Sequence, residues 1–219
     1  MTEPPEGSKI AEPFLGCRHL CLVIGLFVGL SVLVTYPSIL VLDTQLMGMG
    51  DLWQHMWNLW WFDKAVTELL RSPYFTDYVY YPTGASLASQ SFSEFNLMLA
   101  IPLKRLLGPV VTYNVLVLFS YVASATGAYL LCHHLTRNVH ASLVAGVAFA
   151  FSPFRVSHLM FFHVQSTQWL PFFVLSLLKL WERPRYRYSL LAGIFLALAT
   201  LCTLYHLLFL VMFTSLFVA

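Results

Sequence analysis

Charge is what this sequence lacks. Asp, Glu, Lys and Arg make up only 10% of its 219 residues, while 58% are hydrophobic. Soluble domains carry about 25% charged residues, and a soluble fold could not cover its surface with so few polar groups. Acid is scarcest of all in the middle of the chain, where no Asp or Glu occurs between Glu94 and Glu182. The formal net charge of +2 is too small to hold a nucleic acid by its phosphates, so none is expected as a partner. The four cysteines, Cys17, Cys21, Cys132 and Cys202, sit in or beside apolar runs. There they read as small buried hydrophobes, and their spacing offers no zinc set. The first span is expected to be uncleaved. The first apolar stretch, Leu20 to Leu42, is longer than a signal core, and no small-residue cleavage site follows it.

What is present is a series of apolar runs near 20 residues, the length that crosses about 30 Å of bilayer hydrocarbon. The expected fold is therefore all-α, a polytopic transmembrane helix bundle. A cytoplasmic tail is expected over residues 1–19 and a transmembrane domain over 20–219. Spans are placed at about 20–42, 112–135, 140–158, 167–182 and 189–217. The segment 43–108 becomes one large first extracytoplasmic loop containing interfacial helices. The stretch 95–107 is apolar but short, broken by Pro102 and the pair Lys104 and Arg105. If it lies along the membrane without crossing, the cluster Lys179, Arg183, Arg185 and Arg187 falls inside, as short cytoplasmic loops prefer. The N-terminus is then cytoplasmic, and membrane lipids surround the bundle. The last span reaches Ala219 without a polar tail, which reads as a fragment or a truncated product.

The first loop opens with Gly50 and Asp51, and Pro73 closes the run, so 51–71 is expected to be a helix with Asp51 as its cap. Residues three and four apart share a face. That spacing aligns Asp51, Gln54, His55 and Asn58 in one polar stripe. Trp53, Trp57, Trp60 and Trp61 fill most of the remaining surface, as in a helix lying at the headgroup level. Asp51 and His55 at i, i+4 have donors suited, to differing degrees, to a divalent cation, Mg, Mn or Zn, with Mg or Mn the expected ones. Alternatively Asp51 only caps the helix and the rest is a solvated face. Farther on, Asp77 sits in a Tyr-rich stretch that suits a sugar or an interfacial anchor, with loop structuring as its plainer role.

The second loop, between the third and fourth spans, carries Arg155, His158, His163 and Gln165 among aromatic residues. Ionisable groups at membrane depth line polar cavities. An Arg beside two His suits a phosphate or pyrophosphate through charge-assisted hydrogen bonds. Helix capping is the alternative for the two histidines. His206 is expected either at that cavity or bonded to a neighbouring helix.

Taken together, these features resemble the GT-C-type multi-spanning glycosyltransferases. They are an acid heading an interfacial helix (Gly50-Asp51-Leu-Trp-Gln-His55), an aromatic loop with Pro82-Thr-Gly84, and Ser152-Pro-Phe-Arg155 before Trp169-Leu-Pro171. The resemblance covers the N-terminal part of such enzymes. It implies a bacterial-type cytoplasmic membrane location and a donor sugar carried on polyprenyl phosphate. It also assigns Asp51 a catalytic role, in metal binding or acceptor activation. The sequence departs from that pattern where many such enzymes carry a second acid, in the loop occupied here by His158 and His163. The competing expectation is a non-catalytic membrane subunit, degenerate or truncated, that packs against a membrane protein partner.

Overall fold

The computed structural model describes residues 16–48, 50–90, 92–159 and 161–218. The tail expected over 1–19 lies outside them up to residue 15, as does Ala219. The protein is all-α and 72% helical. Three stretches are long and apolar enough to cross a membrane: α1 (Cys17–Val34), α4 (Pro109–Thr136) and Val139–Ser157. The third is two helices, α5 (Val139–Ala150) and α6 (Pro153–Ser157). Pro153 has no N–H to continue the first, so it starts the second.

Helix α4 is the pillar of the fold. Pro109 opens it, and Arg137 ends it in a left-handed conformation at φ 56°. Asn138 then accepts the Ala141 N–H through its side chain and starts α5 in the reverse direction. Gly146 permits the resulting close approach. A Cβ there would lie 2.6 Å from the Phe27 ring of α1 and 2.9 Å from the Ala125 carbonyl oxygen of α4. Helix α3 (Glu94–Leu107) covers the ambiguous stretch of the sequence and packs on α4 and on α2 (Leu52–Asp63). Its basic pair is spent locally, Lys104 in an ion pair with Asp63 and Arg105 3.9 Å from the same carboxylate.

Two sequence expectations are corrected here. The last apolar run is not one helix over 189–217 but two, α9 (Tyr186–Thr200) and α10 (Leu204–Val218), reversing at residues 201–203. Ala192 and Leu210 share one apolar cluster, and the Trp181 and Phe217 rings meet edge to face at 5.5 Å. The chain thus folds back along α8 (Leu170–Glu182). A uniformly apolar run gives no periodic signal for a turn. The reversal is fixed by tertiary contact, the Leu201 carbonyl accepting the Phe95 N–H at 3.1 Å.

The second correction concerns the tryptophans. Helix α2 widens into a single π-turn over Lys64–Glu68, and its Trp61 is fully buried. The Trp61 indole N–H donates to the Pro73 carbonyl at 2.8 Å, and its ring stacks on Trp57. That makes Trp61 a core residue, whereas Trp53 is 79% exposed. The Tyr-rich stretch forms a small hairpin, β1 (Phe75–Thr76) against β2 (Ala85–Ser86). Gly84, at φ 70°, brings its backbone so near the Thr76 carbonyl that a Cβ would sit 2.6 Å away.

Candidate functional site

Two residues of α4 fasten the two loops that the sequence singled out. Asn114 is completely buried. Its side-chain oxygen accepts the Met47 N–H at 2.9 Å, and its amide donates to the carbonyls of Leu42 and Gln45 at 2.9 and 2.8 Å. Those bonds fix the strand of chain leading into α2. Ser120 donates to the Gln165 carbonyl at 2.6 Å and accepts from the Arg155 guanidinium at 3.1 Å. Tyr113 packs on Phe162, the first residue of α7 (Phe162–Gln165), with ring centroids 5.0 Å apart. One helix thereby brings the head of α2 against the segment after α6.

Between them lies an open cavity of about 460 Å³, lined by Asp51, Gln54 and His55 on one side. Phe154, His158, Phe161, His163 and Val164 form the other side. Residues more than a hundred positions apart, chosen from the sequence on separate grounds, thus meet in one place.

Asp51 precedes α2, but its side chain caps nothing. Among the described residues its exposed carboxylate has neither a hydrogen-bond nor an ion-pair partner. The capping alternative raised by the sequence does not describe it. His55 is buried, and its Nε2 accepts the Phe162 N–H at 3.3 Å, so the ring proton resides on Nδ1. The His163 ring lies 5.8 Å from that of His55. Its Nδ1 is buried and, among the described residues, has no hydrogen-bond partner. Burial holds the His163 pKa below the ordinary histidine value, and the Asp51 carboxylate pulls weakly the other way. His158 places Nδ1 2.8 Å from the Phe154 carbonyl. Because a carbonyl only accepts, that nitrogen carries the proton, and Nε2 is the atom left for a ligand.

The remaining expected residues are placed elsewhere. Asn58 is buried beneath Gln90, whose amide donates to it at 2.9 Å. Asp77 is 2.6 Å from Arg71 on the outer hairpin, and the guanidinium holds its carboxyl below the usual range. Arg155, only 4% exposed, turns inward. Its guanidinium donates to Gln165 Oε1 at 3.2 Å, Ala150 O at 3.1 Å, Ser120 Oγ at 3.1 Å and Gln165 O at 2.5 Å, and it lies over the Tyr121 ring. The expected phosphate clamp is therefore a brace. A buried guanidinium must satisfy its donors inside the protein, and Gln165 is consumed in doing so.

A divalent cation fits this donor set poorly. The Nε2 lone pair of His55 is engaged by the Phe162 N–H. Among the described residues no three of His, Cys, Asp and Glu gather as a ligand set. The site is better described as a carboxylate facing two imidazoles. Sequence reasoning missed the apolar wall of Phe154, Phe161 and Val164. Its only signal there was the run of aromatic residues around the two histidines. It also missed Asn114 and Ser120, which look like ordinary polar residues within a span.

Comparison with protein-family models, with curated proteins and with solved structures finds no match to this chain.

Proposed function

We propose that the protein is a multi-pass membrane glycosyltransferase that moves a sugar from a polyprenyl-phosphate donor to an extracytoplasmic acceptor. The observation that carries this reading is the uncommitted Asp51 carboxylate facing His158 and His163 across the cavity. Three stretches of membrane length and composition support placement in a bilayer. In this arrangement the N-terminus is cytoplasmic and the segment from residue 43 to 108 is extracytoplasmic. The α9–α10 hairpin enters the membrane and returns, since each helix is about 22 Å long, short of the hydrocarbon thickness.

In this mechanism Asp51 accepts the proton of the acceptor hydroxyl. The hydroxyl oxygen attacks the anomeric carbon, and the bond from that carbon to the phosphate oxygen breaks. Negative charge gathers on the departing lipid phosphate. His158, its Nδ1–H anchored by the Phe154 carbonyl, turns Nε2 toward it and, as the imidazolium, donates Nε2–H to that charge. The test is Asp51→Asn, assayed with purified protein and a polyprenyl-phosphate sugar. A general base contributes about 10²–10⁴-fold, so transfer should fall by that order while chromatographic behaviour is unchanged. Turnover within about twofold of the parent, against that 10²–10⁴-fold expectation, removes the reading.

A second reading, a non-catalytic subunit of a larger membrane assembly, is favoured by one observation. Leu208, Phe209, Met212 and Leu216 of α10 are all exposed. It predicts a stable membrane protein partner that co-purifies through this helix, and a lone, active protein contradicts it.

A further inference from the structure

A second cavity, of about 560 Å³, lies where the tip of the α9–α10 hairpin meets the segment before α3. Its wall includes Tyr74, Gln90, Phe92, Glu94, Thr203 and Tyr205, and among the described residues no Lys or Arg lines it. Two acceptors stand out among its polar groups, the Glu94 carboxylate and the Gln90 side-chain carbonyl. Glu94 holds one carboxylate oxygen 3.1 Å from the Tyr74 hydroxyl, which donates to it. The other oxygen has no partner among the described residues. Gln90 gives its amide N–H to Asn58, leaving its buried Oε1 without a hydrogen bond among the described residues. The rings of Tyr74, Phe92 and Tyr205 supply faces that attract a cation.

A carboxylate and an orphaned carbonyl inside an aromatic wall call for a ligand that is positively charged and donates hydrogen bonds. We propose that this cavity binds an organic ammonium group, a primary amine held by Glu94 and Gln90. Its size suits a small molecule or a lipid headgroup. The inference stands apart from the glycosyl-transfer reading, because none of its residues belongs to the Asp51 cavity.

Binding of phenethylamine and of 2-phenylethanol to the purified protein in detergent, followed by calorimetry, tests it. The two probes share a skeleton and differ in charge. The amine should bind and the alcohol should not. Glu94→Gln should weaken the amine by about tenfold or more, the scale of a lost charge-assisted hydrogen bond. Should that variant fail to fold, Thr203→Trp fills the cavity from the hairpin tip with Glu94 intact, and it should abolish binding. Equal binding of the alcohol, or undiminished affinity in both variants, overturns the proposal. Nanodiscs then identify the source. Competition by phosphatidylethanolamine but not phosphatidylglycerol assigns the amine to a lipid headgroup, and absence of competition assigns it to a soluble amine.

Discussion

Replacing Arg155 by Met should cost stability, not ligand affinity. The substitution preserves much of the apolar stem and removes four hydrogen bonds, to Gln165 Oε1, Ala150 O, Ser120 Oγ and Gln165 O. A net buried hydrogen bond contributes about 1 kcal/mol, and an acceptor left buried without a donor costs at least as much. Loss of the cation over the Tyr121 ring adds about 1–2 kcal/mol. Relief from burying a charge offsets part of this sum. The balance is a loss of about 3–5 kcal/mol. In a chain of this length each kcal/mol shifts Tm by about 2–4 °C, so a drop near 10 °C is expected in a detergent thermal-shift assay. Gln165→Leu should lose part of the same energy, and the double variant should lose much less than the sum, because both changes dismantle one network. An Arg155→Met protein that melts like the parent but no longer binds a phosphate-bearing lipid would refute the reasoning. The guanidinium would then face the cavity and not the interior.

Gly146→Val should destabilise the packing of α1, α4 and α5 by about 1–3 kcal/mol, the usual cost of overpacking. The Ala125 carbonyl cannot move away as a flexible side chain could. Thermal melting with retention of helical circular dichroism checks it. His163, with its pKa depressed by burial, binds fewer protons in the folded than in the unfolded protein. Stability should therefore fall as pH drops through the ordinary histidine value near 6.5 and level off below the folded pKa. Melting curves from pH 8 to 5 should show this slope, and His163→Gln should make it shallower.

Much of the architecture was legible because apolar length is a strong signal. The runs around α1, α4 and α5 stand out in the sequence. The α9–α10 reversal was not legible. In a segment apolar on every side, nothing local distinguishes a turn from a continuation, and the deciding bond, from Phe95 to Leu201, spans more than a hundred residues. Trp61 misled for a related reason, since composition cannot say whether an indole faces lipid or a neighbouring ring. At the site, spacing along α2 gathered Asp51, Gln54 and His55, and chemical type alone picked out His158 and His163. Burial divided the remainder. Arg155 is as conspicuous in the sequence as any of them, yet an Arg inside a protein must be satisfied by the protein.

Asn114 and Ser120 stand six positions apart on one unbroken helix, about 9 Å along its axis. The two walls of the Asp51 cavity are therefore registered against a common ruler. An inserted residue between those positions would turn Ser120 by about 100° around the axis, leaving the Asn114 wall in place while its opposite number lost its anchor. In this protein the spacing within an otherwise plain apolar helix carries as much information about the cavity as the residues that line it.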